Sequence, residues 1–289
     1  MTEDTRLTRE NCLKKISGFE SQLRNEEKST VTIEKYLRDV RRFLSFLSEF
    51  PADDQLGKEH TVQYKKYLCE NGYEPASVNS MLVALNCFLR FCKLDKLCVK
   101  LLKIQRQIFS AEDRELSKAE YHRLVKAANN SRLSYIIQTI CGTGIRVSEL
   151  KYITVEAVRE GKATVSCKNK NRVIFLPVKV QKLLSEYIRK TGIKCGSVFV
   201  TKNGKPLNRS NIWRDMRALC QKANVSEKKV FPHNLRHLFA RTFYSINKDI
   251  VRLADLLGHS SINTTRIYTV ESGEKHLIYL DKVQKILTT

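Results

Sequence analysis

The residues best suited to chemistry in this sequence are two arginines, two histidines and one tyrosine, namely Arg146, His233, Arg236, His259 and Tyr268. Each arginine presents a rigid fork of N–H donors that matches the oxygens of a phosphate. A tyrosine hydroxyl is a poor nucleophile near neutral pH unless a base takes its proton or cations stabilise its anion. Together the set suits attack of a phenol oxygen on a phosphodiester, a reaction that needs electrostatic stabilisation of its transition state.

Glycine and proline residues predict the elements that position these side chains. A flexible turn at Gly144 delivers Arg146 to the start of a helix that also contains Glu149, where free amide groups favour an anion. Pro232 suits a first helical position, so the histidine and arginine that follow it share one helical face. Gly258 ends an apolar helix, and a short new helix then carries Tyr268.

A lysine on a β-hairpin would complete such a site. Residues 163–167 and 172–176 have the alternating pattern of two strands, and residues 168–171 join them. A mobile lysine at a hairpin tip is suited to general acid catalysis of such a reaction. Lys168 is the first choice for this role, and Lys170 remains the alternative.

Three sequence boxes in fixed order resemble those of the tyrosine recombinases, the phage integrase family of site-specific DNA recombinases. They are TGIRVSEL at residues 143–150, HNLR at 233–236 and LLGH at 256–259, with Tyr268 nine residues after His259. The resemblance is clear from about residue 116 to residue 268. One departure is the hairpin, because the family form G-K-G-N-K-x-R is here one residue shorter between its first lysine and the arginine.

The resemblance implies a role for each matched position. Tyr268 would be the nucleophile, and the other catalytic residues would be Arg146, Lys168 or Lys170, His233, Arg236 and His259. The product would be a 3′ phosphotyrosine bond that a free 5′ hydroxyl can reverse, so neither a metal nor ATP is expected. The partners implied are double-stranded DNA carrying a recombination site, a homotetramer formed on that DNA, and in some systems an accessory DNA-bending protein.

The length of 289 residues predicts two domains with separate cores. The expected fold is mainly α with a small β-sheet: an all-helical core-binding (SAM-like) domain, followed by an α+β catalytic domain of the tyrosine recombinase type. The predicted boundaries are an N-terminal extension at 1–28, the core-binding domain at 29–102, a linker at 103–114 and the catalytic domain at 115–289. Its apolar tail, about 272–289, packs either on a neighbouring subunit or on its own domain.

The helices of the first domain offer candidate DNA contacts through exposed basic and amide side chains. For each of them a plain surface or capping role is an equal alternative. The candidates are Arg41, Arg42, Ser77, Asn79, Asn86 and Arg90.

The charge distribution favours a polyanionic partner. The net charge is +22, with 19 Lys and Arg against 15 Asp and Glu in residues 1–110, and 33 against 15 in residues 111–289. Surface cations attract a phosphate backbone and release its counterions. On charge alone, a solvated basic face remains an alternative.

The remaining composition predicts a reduced, cytoplasmic protein. Nine cysteines form no C-x-x-C pair, which argues against a disulfide framework or a zinc site. The polar start resembles no targeting peptide, and no apolar run reaches the roughly 18 residues that span a bilayer, so no membrane partner is expected.

Several functions share this chemistry or this charge. Within the family, integration or excision by a mobile element or phage is favoured, and Xer-like dimer resolution or DNA inversion are alternatives. Outside it stand a sequence-specific DNA-binding protein without the reaction, and a type IB topoisomerase.

Overall fold

The computed structural model describes residues 9–51, 55–104, 114–167, 170–201, 203–268 and 280–284. The chain forms two compact units, Met1–Arg106 and Gln107–Thr289. Its described part is mostly helical, with one two-stranded antiparallel sheet in the second unit, so the predicted fold class is confirmed. The finer domain boundaries stay a prediction.

The first unit consists of helices around one apolar core. Phe19, Phe43, Tyr64 and Phe88 are fully buried there, and the rings of Phe19 and Phe88 meet edge to face at 5.3 Å between centroids, a favoured aromatic geometry. Because Phe19 precedes residue 29, the predicted N-terminal extension contributes to this core. The helices are α1 (Arg9–Lys14), α2 (Ile16–Asn25), α3 (Thr30–Phe46), α4 (Lys58–Glu70) and α5 (Pro75–Phe91).

The second unit opens with a capping box. The pattern Ser117-x-x-Glu120 in the sequence predicts a capping box at the start of a helix. The structure confirms it, because Ser117 Oγ accepts from the amide of Glu120 and the Glu120 carboxylate accepts from the amide of Ser117. The described elements in order are α6 (Lys118–Ala128), α7 (Arg132–Thr143), a 3-10 helix (Val147–Tyr152), α8 (Val155–Glu160), β1 (Lys162–Cys167), β2 (Lys170–Phe175), α9 (Val178–Thr191), α10 (Arg209–Ala218), α11 (Cys220–Ala223), a 3-10 helix (Glu227–Lys229), α12 (Pro232–Asn247), α13 (Ile250–Leu257), α14 (Ile262–Thr265) and a 3-10 helix (Arg266–Tyr268).

Helix α7 lies in the main core of the second unit. Its buried residues Ile137 and Ile140 belong to one apolar cluster with Val165 and Ile174 of the sheet and Leu235 of α12. Burial of such side chains stabilises the unit by about 1.5–3 kcal/mol each. The core therefore fixes the sheet and α12 relative to one another.

The hairpin is tighter than the sequence predicted. Strands β1 and β2 pair from Lys162 opposite Phe175 to Cys167 opposite Lys170. Lys170 and Asn171 therefore belong to the ladder and not to the turn, because the pairing continues two residues further than the alternating pattern suggested. Lys168 and its neighbour lie outside the described residues.

Helix α10 differs from expectation at its aromatic residue. The helical pattern of residues 212–222 predicts that Trp213 anchors the core, and this is wrong: its side chain is 44% exposed. The Arg217 guanidinium lies 5.0 Å from the ring centroid, in a cation–π contact. Ile212 and Met216 fill the core instead.

The ends of the chain are only partly described. Of the predicted tail, residues 280–284 form a helical segment in which Leu280 and Val283 are exposed, and the remainder lies outside the described residues. None of the helices in the described ranges is long and apolar enough to cross a bilayer.

Candidate active site

Arg146 follows a left-handed turn at the end of α7. Gly144, at φ 66°, ends the helix, and a Cβ there would lie 2.5 Å from the Phe239 ring, so only glycine lets the two approach. The Arg146 side chain is 39% exposed. Its Nη1 donates to Glu149 Oε1 at 3.0 Å, which leaves part of the guanidinium open to a ligand.

Glu149 is the buried carboxylate that holds this arginine. It is 2% exposed, and its Oε2 accepts from the Arg146 amide at 2.9 Å and from Arg172 Nη2 at 2.5 Å. Burial raises the pKa of the Glu149 carboxyl, but the Arg146 amide and the Arg172 charge outweigh burial and hold the pKa below its ordinary value. The carboxylate is thus ionised near neutral pH and shared by two arginines.

Arg236, on α12, is 2% exposed. Its Nη1 donates to the Gly144 carbonyl and its Nη2 to the Leu257 carbonyl, both at 2.6 Å. Burial, and next the Arg146 charge, lower the pKa of Arg236 to about 10, so it remains cationic at neutral pH.

His259 Nε2 lies 3.1 Å from Arg236 Nη2. Because arginine only donates, Nε2 must accept, and Nδ1 then carries the proton and donates to Thr265 Oγ1 at 2.9 Å. Burial, followed by the charges of Arg236 and Arg146, lowers the pKa of His259 to about 4. The imidazole is therefore neutral at pH 7 in this arrangement.

Three arginines meet at the C-terminal end of α13. The last carbonyls of a helix have no intrahelical partner and carry the negative end of its dipole. Here those carbonyls accept as follows: Leu256 from Arg172 Nη1 at 2.7 Å, Leu257 from Arg236 Nη2 at 2.6 Å, and Gly258 from Arg146 Nη2 at 3.2 Å. One helix end thus gathers three guanidinium groups.

Tyr268 lies in the 3-10 turn after α14 and is 3% exposed. Its ring is nearly parallel to that of His259, with 6.0 Å between centroids, and it packs in a small apolar cluster with Leu253 and Leu257. Within this structure the phenol therefore lies beside the imidazole and the arginine cluster.

The position of His237 next to the HNLR box predicts a supporting role without direct contact with the phenol. The structure instead places it against the Tyr268 ring. Its ring meets the Tyr268 ring at 4.7 Å and the His233 ring at 4.5 Å, both edge to face. Burial, with His233 and Arg236 next, lowers the pKa of His237 to about 4. Burial and the neighbouring arginine charges also lower the pKa of His233. The four-residue spacing of the two histidines was the signal that could have placed them together.

The structure thus brings five predicted residues into one neighbourhood: Arg146, His233, Arg236, His259 and Tyr268. Sequence reasoning missed the part played by Arg172, whose guanidinium joins β2 to Glu149 and to α13. Lys168 lies outside the described residues, and Lys170 is described only as the first residue of β2.

The predicted DNA contacts of the first unit fall into two groups. Arg41, Arg42, Ser77 and Arg90 are exposed on α3 and α5. Asn86 is buried, donating to the Val99 carbonyl at 2.8 Å and accepting from the Val99 amide at 2.9 Å. Asn79 makes the same pair of bonds to Leu102. Both amides fasten the segment after α5 to that helix, and we do not propose Asn86 as a DNA contact.

Comparison with known proteins finds a family match in each of the two units. Residues 114–275 match the model of the phage integrase family, and residues 16–96 match that of the phage integrase N-terminal SAM-like domain. The tyrosine recombinase XerA of Thermococcus kodakarensis is 30% identical over 281 residues, covering 94% of this chain and 95% of XerA. XerD of Halalkalibacterium halodurans is 28% identical over 262 residues, covering 83% and 87%.

The fold is also that of solved integrases. A crystal structure of a lambda integrase tetramer bound to a Holliday junction matches with a TM-score of 0.73 at 18% identity, over 92% of this chain and 78% of that one. With the clustered arginines, histidines and tyrosine, these matches establish that the chain belongs to the phage integrase family and is a tyrosine recombinase, a site-specific DNA recombinase.

Proposed function

We propose that this recombinase cleaves DNA through a covalent bond between Tyr268 and the 3′ phosphate of the cut strand. The observation that carries this proposal is the single cluster of Tyr268, Arg146, Arg236 and His259. In the step, the phenol oxygen bonds to phosphorus and the bond from phosphorus to the 5′ oxygen breaks. A 5′ hydroxyl from another strand then attacks the phosphotyrosine and rejoins the DNA.

The two arginines stabilise the charge that develops on the nonbridging oxygens. The Arg146 side chain is the more exposed of the two and contacts the phosphate first. The buried Arg236 contributes through a guanidinium that its hydrogen bonds hold in place. Such donors act best when they are already oriented, since no reorganisation accompanies the reaction. His259 joins them as a donor once the phosphate charge favours a proton on Nε2.

The phenol proton leaves through the histidine pair. His233 is our candidate base, and His237, between it and Tyr268, is its connection to the phenol. The pKa values of both histidines lie below the ordinary value, so both imidazoles are unprotonated near neutral pH and able to accept a proton.

The hairpin lysine protonates the departing 5′ oxygen. We assign this to Lys168, with Lys170 as the alternative. A DNA substrate with sulfur in place of the bridging 5′ oxygen discriminates them, because a thiolate leaves without a proton. The variant that lacks the general acid, Lys168→Ala or Lys170→Ala, should regain cleavage on that substrate, and a variant slow on both substrates is not the acid.

The experiment for the whole proposal is adduct formation on a nicked duplex carrying the recombination site, read on a denaturing gel. Wild type should form a covalent protein–DNA band, and Tyr268→Phe should form none. Tyr244→Phe is a matched control, because Tyr244 packs on the same apolar cluster. Absence of the band with wild type, or an equal band with Tyr268→Phe, would refute the reaction. Relaxation of plasmid lacking any site would instead indicate a topoisomerase.

On DNA we propose a homotetramer in which both units of each chain contact the duplex. The exposed Arg41, Arg42, Ser77 and Arg90 supply contacts in the first unit, and the basic second unit supplies most of the phosphate attraction. The tail at about 272–289 packs on the neighbouring subunit, which its exposed Leu280 and Val283 support. An accessory bending protein assists where the site needs it.

For the biological role we propose integration and excision of a mobile element in the cytoplasm. The hairpin motif, one residue shorter between Lys168 and Arg172 than the common family form, supports this over Xer-like dimer resolution or inversion. Sequencing the DNA around the coding region tests it: short inverted repeats with a central spacer at the element's ends support mobility, and a single chromosomal site away from the gene supports dimer resolution.

A further inference from the structure

Arg172 connects three parts of the site. It lies on β2 opposite Val165, and its side chain is 15% exposed. Nη2 donates to Glu149 Oε2 at 2.5 Å, and Nη1 donates to the Leu256 carbonyl at 2.7 Å. The same guanidinium therefore holds the sheet to the carboxylate beside Arg146 and to the end of α13.

The carboxylate of Glu149 passes this constraint on to Arg146. Oε2 receives both Arg172 and the Arg146 amide, while Oε1 receives the Arg146 guanidinium. A bidentate, charge-assisted arrangement fixes direction as well as distance. Displacement of Arg172 would therefore leave Glu149 Oε2 without one of its donors and weaken the hold of this carboxylate on Arg146.

The Arg172 stem also packs against the turn before His259. A Cβ on Gly258 would lie 2.4 Å from Arg172 Cδ and 2.9 Å from Nε. Among the described residues, no acceptor meets that buried Nε. Leaving a buried donor unpaired is unfavourable.

We propose that Arg172 is a positioning residue for DNA cleavage. Through Glu149 it orients the Arg146 guanidinium, and through the Leu256 carbonyl it fixes the position of the turn before His259 relative to that guanidinium. The proposal rests on the cleavage reaction proposed above. It differs from a purely structural ion pair, which would affect folding and leave the chemistry of the folded enzyme unchanged.

Removal of Arg172 should make cleavage dependent on the protonation of Glu149. The charged groups that act on this carboxylate are Arg146 and Arg172 directly and Arg236 at longer range. In Arg172→Ala, burial raises the pKa of Glu149 with one cation fewer to oppose it. As pH falls, Glu149 takes up a proton and releases Arg146, so the defect grows toward low pH.

The experiment measures the single-turnover rate of adduct formation at saturating DNA between pH 6 and pH 8. Arg172→Ala should cleave about a hundredfold more slowly at neutral pH, as a displaced catalytic group does, and its defect should increase toward pH 6. Binding of intact duplex should be unchanged. Arg172→Lys, which keeps the charge, should restore the wild-type pH dependence and only part of the rate.

A double-mutant cycle tests the route through Glu149. If Arg172 acts through this carboxylate, the double variant Arg172→Ala/Glu149→Gln should cleave no more slowly than the slower single variant, and its added pH dependence should vanish. Multiplicative losses would overturn the proposal. A folded Arg172→Ala enzyme with the wild-type rate and pH profile would overturn it too.

Arg241 offers a matched control, because it also joins a carboxylate, Glu115, to a backbone carbonyl, that of Leu116. Its Nε is likewise buried without an acceptor among the described residues. Arg241→Ala should lower stability and leave the pH profile of cleavage unchanged. If Arg172→Ala does not fold, Arg172→Gln serves the same test. Failure of wild type itself to form the adduct refutes the cleavage reaction, whereas an unperturbed Arg172 variant refutes only this inference.

Discussion

Replacing Arg236 by lysine should cost stability as well as activity. The arginine is 2% exposed and donates to carbonyls on two different elements, those of Gly144 and Leu257, at 2.6 Å each. A lysine ammonium is a single point charge at the end of a flexible stem and cannot reproduce that fork. At least one buried carbonyl would lose its donor, which costs about 1–3 kcal/mol.

Arg146→Lys is the comparison that separates the two effects. Its side chain is 39% exposed, and a lysine there can keep the ion pair with Glu149, so the loss of stability should stay below about 1 kcal/mol. For Arg236→Lys, a loss of 2 kcal/mol corresponds to a fall of about 4–8 °C in Tm for a domain of this size. Cleavage should fall about 10²–10³-fold in both variants, since each removes a phosphate donor.

Thermal and urea unfolding measure the first quantity, and adduct formation on the nicked duplex measures the second. The reasoning predicts that Arg236→Lys is clearly less stable than Arg146→Lys while both are poor catalysts. Equal stability of the two variants would show that the buried bonds of Arg236 do not hold the fold together, and the structural half of the account would be wrong.

Three further outcomes follow from the same contacts. The pKa values of His237 and His259 lie near 4, below the ordinary 6.5. Between these two pH values the unfolded chain binds more protons than the folded chain, so the free energy of unfolding should fall as pH drops from about 6.5 to about 4. Urea titrations at several pH values measure this, and a free energy of unfolding that does not change over this range contradicts it. Gly258→Ala should lower Tm more than Gly192→Ala: both sites have left-handed φ, but only at Gly258 would the new Cβ lie 2.4 Å from the β2 arginine. Asn86→Ala should lose about 2 kcal/mol or more, since it strips two bonds from a buried backbone segment; urea unfolding unchanged from wild type would show that these bonds are dispensable.

Much of the fold followed from local patterns. The capping box at Ser117, the proline that opens α12 and the glycine that ends α13 each specify a helix end through the chemistry of a few adjacent residues. Such signals are local, so the sequence alone predicts them. The two-unit organisation and helical content followed from these ends and from apolar periodicity.

Other features depended on contacts between distant residues. The bond from Arg172 to Glu149 depends on the register of the two strands. The alternating pattern predicted the second strand to begin at residue 172, two residues later than the observed ladder does. Trp213 is apolar enough to suggest burial, yet the helix rotates it outward because Ile212 and Met216 fill the core better. The burial of Asn86 depends on the backbone of Val99, and no local signal reports that partner.

The end of α13 sets the spacing of the cations in the candidate active site. Its three successive carbonyls each accept from one guanidinium group, those of Arg172, Arg236 and Arg146, so one stretch of backbone holds all three cations. Because the three acceptors belong to consecutive peptide units, the backbone geometry of residues 256–258 determines the distances between the cations. A residue inserted or deleted at that turn would therefore displace all three guanidinium groups at once. A change of side chain at the same place would leave the backbone carbonyls, and so the spacing of the cations, in position.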